Sequence, residues 1–170
     1  MRASELLVEA TGEDVRLIPG SSYSRNELAQ LTSLIAQGGE VSPDMVQRNL
    51  VNSPLVAASF IDQMPVGVVV LKIPNASYKQ KVFQAADVAD LEASFRLEVG
   101  YAFVEPQYRS QGVGTELLRA LRTKMPAGVF ATTRENNAKI NTILKFAGFK
   151  PTGNMYSSAR GDYNLILWTK

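Results

Sequence analysis

Arg109, Gly112 and Gly114 stand in the stretch YRSQGVGTELL, positions 108–118, as a cation, two residues, a glycine, one residue and a second glycine. Val113, Leu117, Leu118, Leu121 and Met125 then recur at helical spacing, so the glycines lie where a helix begins. A helix start leaves amides unpaired under a partial positive charge, and a residue without Cβ lets an oxyanion approach that backbone. The chemistry this suits is the holding of a phosphate. Arg109, Ser110, Gln111, Gly112, Val113, Gly114 and Thr115 would form a nest of amides, with the Arg109 guanidinium on a neighbouring oxygen. The competing reading is a glycine-containing strand-to-helix turn without a ligand. A dinucleotide fingerprint asks for a third glycine or alanine where Leu117 stands, and a triphosphate loop asks for Gly-Lys-Ser/Thr; neither is present.

The loop resembles the acetyl-CoA pyrophosphate loop of the GCN5-related N-acetyltransferase (GNAT) superfamily, whose pattern is Arg or Gln, two residues, Gly, one residue, Gly or Ala. The surrounding VEPQYRSQGVGTELLRAL resembles the family's strand–loop–helix block, and ENNAKINTILKFAGF resembles its second cofactor block, which ends in Gly-Phe. By motif the resemblance covers about residues 95–150. It implies an α/β chain, one domain over 1–170, with a mixed central sheet whose parallel fourth and fifth strands splay apart between flanking helices. Pantetheine would enter that gap, pairing with backbone near Phe103 and Val104, and Asn137 would contact it from the second block. For Asn137 helix capping is the other reading. The implied co-substrate is acetyl-CoA, with no metal, and the implied activity is acyl transfer to a primary amine on a small acceptor. Direct attack in a ternary complex fits, because no nucleophile suited to an acyl-enzyme is evident. The rival readings are an acyl-CoA-binding module with little turnover, and an enzyme acting on a protein or nucleic-acid amine. Sheet-edge pairing into a homodimer is common in the family and is an expectation here.

Acyl transfer to an amine needs a proton acceptor near the thioester. Glu98 lies eleven positions before Arg109, which resembles the spacing at which histone-acetylating members carry their glutamate base. The other reading is a surface carboxylate, solvated or paired with Arg96 or Lys150. The family's second block often carries a tyrosine four residues before its glycine, placed to protonate the leaving thiolate; here that position is Leu144. Tyr101, Tyr108 and Tyr156 are the candidate replacements, with Tyr101 the best placed because it follows a bulge expected at Gly100. On the acceptor side, Ser157, Ser158, Arg160 and Asp162 of NMYSSARGDYN could meet a polar substrate, and Lys72, Tyr78, Lys79 and Lys81 an acidic one. An ordinary hairpin turn and a solvated charged face are the alternatives.

Composition narrows the chemistry. The 170 residues include no cysteine and no histidine, which removes thiolate nucleophiles, Ser-His-Asp chemistry and the imidazole base. Carboxylates, tyrosines, lysines and backbone dipoles are left as catalytic tools. A net charge of +2 makes nucleic acid an unexpected partner. No apolar run approaches the roughly 20 residues of a membrane span, and MRASELLVEATGED lacks the features of a secretory signal, so the expected setting is cytoplasmic.

The elements that must position these groups follow from patterning. A strand is expected at DVRLIPG; a helix at SRNELAQLTSLIAQGG with Ser24 as cap and Glu27 three residues on; a second helix at SPDMVQRNL with Pro43 first. LVAASFI and VGVVVLKI read as a hairpin joined by DQMP, and SYKQKVFQAADV as a short helix from Ser77 with Tyr78, Val82 and Phe83 inward. After strand FRLEVGYAFV and the loop–helix come strand GVFATT, helix NNAKINTILKFA with Ile140, Ile143, Leu144 and Ala147 on one face, a stop at Gly148, and strand NLILWT.

Overall fold

The computed structural model describes residues 15–39 and 41–170. The stretch read for a secretory signal, 1–14, lies outside the described residues, as does Asp14 of the first expected strand. The chain divides into two compact units, one of the described residues up to Lys72 with Tyr101–Lys124, the other of Ile73–Gly100 with Met125–Lys170.

The first unit is built on β1 (Val15–Ile18), α1 (Arg25–Ala36), α2 (Pro43–Val51), β2 (Leu55–Ile61) and β3 (Met64–Lys72), in that chain order. It also holds the second half of β4 (Leu97–Val104) and α4 (Val113–Thr123). Strand order is β1-β2-β3-β4. The Ser24 capping box forms as its spacing predicts: the Glu27 amide donates to Ser24 Oγ at 3.1 Å and the Ser24 amide to Glu27 Oε2 at 2.9 Å. Those hydrogen bonds, with Arg16 beside the carboxylate, hold the Glu27 pKa below the usual range. Leu28, Leu31, Leu34 and Ile35 are buried, joining Val46, Leu50, Val56, Ala58, Val68 and Val70 in one apolar cluster.

The hairpin is tighter than expected. Only Asp62 and Gln63 turn, both at positive φ (48° and 64°), the twist that suits two-residue hairpin turns. Met64 and Pro65 therefore belong to β3, opposite Ile61 and Phe60, and the register shifts between Ser59 and Phe60. That irregularity leaves room for a proline inside a strand. Ser42 stands at the α2 N-cap but makes no side-chain cap bond, and Pro43 occupies the first turn.

Gly20 shows where backbone packing forbids a side chain. A Cβ there would lie 1.6 Å from the Leu50 carbonyl oxygen, and main chain cannot rotate aside. Gly20→Ala is expected to cost about 3 kcal/mol, and a thermal melt should show a drop of roughly 6–12 °C.

The second unit holds α3 (Ala76–Ala85), the first half of β4, β5 (Val129–Arg134), α5 (Ala138–Phe146), β6 (Lys150–Pro151), β7 (Tyr156–Ser157) and β8 (Asn164–Thr169). Strand order is β4-β5-β8-β6, with β7 also on β8. β4 and β5 run parallel, registered at Leu97↔Val129 and Glu98↔Phe130, whereas β8 is antiparallel to β5. Phe83 stacks on Phe95 at 5.5 Å and meets Phe130 edge-on at 5.3 Å, at the centre of a core with Val82, Ala86 and Leu167. The cap of α3 is Asn75, which accepts from the Ser77 and Tyr78 amides at 3.0 and 3.2 Å, so the helix starts earlier than expected. The buried face of α5 carries Asn141 and Leu144, while Ile140 and Ile143 are only partly covered.

Candidate active site

The strand leading into the glycine loop departs from expectation at one residue. The left-handed conformation falls on Tyr101, at φ 50°, and not on Gly100. An aromatic residue there is an outlier, and strain of this kind persists only where neighbours hold it. They do: Asn49 Nδ2 donates to the Tyr101 hydroxyl at 2.6 Å, and Lys72 Nζ lies 4.8 Å from its ring centroid.

Beyond Tyr101, Phe103 and Val104 position the arginine. Arg109 Nε donates to the Val104 carbonyl at 2.8 Å, and its guanidinium carbon lies 5.3 Å from the Phe103 ring centroid. The Val104 carbonyl, in the stretch of backbone expected to pair with pantetheine, thus accepts from Arg109. A short 3-10 turn, Pro106–Tyr108, follows, and the Arg109 amide donates back to the Pro106 carbonyl at 3.3 Å. That amide therefore already has an acceptor. Gln111 is tied by its side chain to the Gln107 carbonyl at 2.9 Å.

Ser110 and Gly112 take positive φ (63° and 85°), and Gly112 is the N-cap of α4, where no side chain caps the helix. The first helical bond runs from the Glu116 amide to the Gly112 carbonyl at 3.0 Å. The amides of Val113, Gly114 and Thr115 consequently have no acceptor within the helix. Gly112 is a glycine because of its φ. Gly114 has no such reason: a Cβ there would meet nothing nearer than Val104 Cγ2 at 3.7 Å, an ordinary contact. Glycine inside a helix costs about 0.5–1 kcal/mol relative to alanine, so its presence leaves a bare approach to these amides that the fold does not require.

In the second unit, Glu98 is only 4% exposed, which disposes of the surface-carboxylate reading. Its Oε1 accepts from the Tyr78 hydroxyl at 3.1 Å, and that hydroxyl is also 3.2 Å from Thr132 Oγ1. Burial, and next the Glu98 charge, push the Tyr78 pKa far above the ordinary phenol value. The same two causes push Tyr156 up to about 12. Both phenols therefore carry their protons at neutral pH. The Tyr156 hydroxyl is buried with no hydrogen-bond partner among the described residues. Asn137 caps α5, accepting from the Ile140 amide at 3.4 Å, as its helix-capping reading has it.

Residues 30–149 match the sequence model of the Acetyltransferase (GNAT) family. The chain belongs to that family. No curated protein matches this GNAT sequence. Among solved structures it is similar to Escherichia coli ElaA, at a TM-score of 0.64 and 12% identity over 92% of this chain and 99% of that one. It is similar also to Arabidopsis thaliana NAA60 in complex with acetyl-CoA, at 0.64 and 13% over 91% and 97%. The ribosomal-protein-S18-alanine N-acetyltransferase of Escherichia coli matches at 0.61 and 14% over 91% of each chain. At such identities these likenesses speak for the fold: a GNAT acyl-CoA N-acyltransferase fold, with a mixed sheet, parallel β4 and β5 and flanking helices.

Within that fold the tyrosine position of the second block is a packed core residue, Leu144, 1% exposed. Tyr108 sits in the 3-10 turn and Tyr101 is held by Asn49, so the candidate phenols lie in quite different surroundings. Lys79 is engaged structurally, with the Phe95 carbonyl at 2.9 Å and Glu92 at 2.8 Å, and not as a solvated charge. Sequence reasoning missed Tyr78 as the partner of Glu98, Thr132 as that of the Tyr78 hydroxyl, and Asn49 as the partner of Tyr101. It also missed buried Asn141, which accepts from Thr133 at 2.5 Å and donates to the Arg134 and Glu135 carbonyls at 3.2 and 3.1 Å. Thr133 in turn accepts from Trp168 Nε1 at 2.7 Å. A polar residue on the apolar face of α5 was the available signal. No three His, Cys, Asp or Glu side chains are grouped to hold a metal ion among the described residues, and none of their helices is long and apolar enough to cross a membrane.

Proposed function

We propose that this GNAT protein is an N-acyltransferase that moves the acetyl group of acetyl-CoA to a primary amine on a small acceptor by direct attack in a ternary complex. The observation that carries the reading is the uncapped start of α4, with Gly114 bare where neither backbone nor packing asks for glycine. Three amides without an acceptor in the helix, together with the helix dipole, suit the diphosphate of the co-substrate, and the Arg109 guanidinium, steadied by Val104 and Phe103, supplies a positive charge near them. A protein named for alanine N-acetylation and a plant protein bound to acetyl-CoA share the fold, which is consistent with an amine acceptor and this co-substrate.

Acetyl-CoA supplies the acyl group as a thioester. Glu98 takes a proton from the acceptor ammonium, directly or through water, so that the nitrogen lone pair can form the new N–C bond as the C–S bond breaks. The nitrogen sheds its second proton as it becomes the amide, to water or to the departing sulfur, which leaves as a thiolate and is protonated by that proton, by solvent or by a phenol. A thiolate leaves without compulsory help, so Leu144 does not forbid turnover.

Acetyl-CoA at about a hundred times its dissociation constant should stabilise the protein by roughly 2.7 kcal/mol, visible as a rise in melting temperature. Thiol release against a panel of amines then tests transfer. A thermal shift with no thiol release from any amine would favour the binding module, for which Leu144 is the motive; no shift at all would remove the co-substrate reading.

A further inference from the structure

Glu98 is a buried carboxylate in a strand, and a carboxylate used as a base must be held at one angle while its charge is stabilised in a place poor in water. A group that does this comes from another element: Tyr78, in the first turn of α3, reaches Oε1 at 3.1 Å. Tyr78 as a whole is 38% exposed, while its hydroxyl donates to the carboxylate.

The proton inventory orders this cluster. An ionised carboxylate only accepts, so the single phenolic proton of Tyr78 goes to Glu98. The 3.2 Å contact with Thr132 must then be a donation from the threonine hydroxyl to the phenol oxygen. The result is a relay from β5 through α3 to β4 in which each bond polarises the next. Asn75 fixes the start of α3 by accepting the Ser77 and Tyr78 amides, so the backbone from which the phenol reaches is itself anchored. Tyr156 faces the same charge from β7.

We propose that Tyr78 is a positioning residue for Glu98, anchored by Thr132, and that it sets the orientation in which the carboxylate accepts the amine proton. The inference deepens the acyltransferase reading and rests on it. Tyr78→Phe keeps the ring and removes the donor. Its kcat for amine acetylation should fall about 10- to 100-fold, with the KM and thermal shift for acetyl-CoA unchanged. Thr132→Val should give a smaller loss of the same kind. In Glu98→Asp the carboxylate is one methylene shorter and beyond the phenol's reach, so adding Tyr78→Phe should lower kcat less than about twofold further.

Equal losses from Tyr78→Phe in both backgrounds would mark a merely structural tyrosine and overturn the inference. So would an unchanged kcat in Tyr78→Phe alongside an inactive Glu98→Gln, a result that would leave the acyltransferase reading standing. If Glu98→Gln itself were fully active, Glu98 would not be the base, and the role of Tyr78 would fall with it.

Discussion

Glu98→Gln is expected to lower kcat by about 10²- to 10⁴-fold, the range removed with a general base, while the rise in melting temperature with acetyl-CoA persists. Glutamine has nearly the same shape and can still accept from Tyr78, so the cluster of Tyr78, Thr132 and Tyr156 keeps its geometry. What disappears is the capacity to take a proton. Removing a charge from a site that is 4% exposed should not lower stability, because that charge was held away from water. Steady-state kinetics alongside a thermal melt of each protein make the measurement. A variant that loses both turnover and the acetyl-CoA shift would show Glu98 to be part of the binding frame.

Gly114→Leu should weaken acetyl-CoA binding at least about 100-fold, so that the thermal shift vanishes at concentrations that saturate the wild type. The argument is steric and electrostatic together. The amides at the start of α4 have no acceptor within the helix, and a branched side chain rising from Gly114 would stand over them where an anion must approach. The ligand-free protein should melt no lower than the wild type, because leucine is the better helix former. Gly114→Ala is the control: one methyl meets only Val104 Cγ2 at 3.7 Å, so binding should fall little. Isothermal titration with coenzyme A measures both. Retained affinity in Gly114→Leu would move the diphosphate away from this loop.

The two substitutions differ in how far the residues behind them could be read from the amino-acid order. The loop is local. Arg109, Gly112 and Gly114 lie within six residues, and the properties that matter there, positive φ at Gly112 and uncapped amides at a helix start, follow from residue type and adjacency. The Ser24–Glu27 capping box and the apolar stripe of α4 were readable for the same reason: their partners lie within about one helical turn of each other. Glu98 could be singled out because its distance from Arg109 resembles the spacing in histone-acetylating members of the family, yet whether it was buried, solvated or paired with Arg96 or Lys150 could not be read there.

The surroundings of that carboxylate came from contacts with no local signature. Tyr78 is 20 positions from Glu98 and Thr132 is 54 from Tyr78, and Asn49 reaches Tyr101 across 52. Such pairs depend on which elements the topology makes neighbours, and a sequence period of two or 3.6 residues carries no information about that. The same holds for the strained residue of β4. Glycine is the cheap place for a left-handed bend, which pointed to Gly100; the bend falls on Tyr101 because Asn49 and Lys72 hold that side chain from α2 and β3. Residue order thus sufficed wherever the energy is local to a turn of backbone, while the choice of partners for the catalytic candidates was made by packing between distant segments, where burial outweighs local propensity.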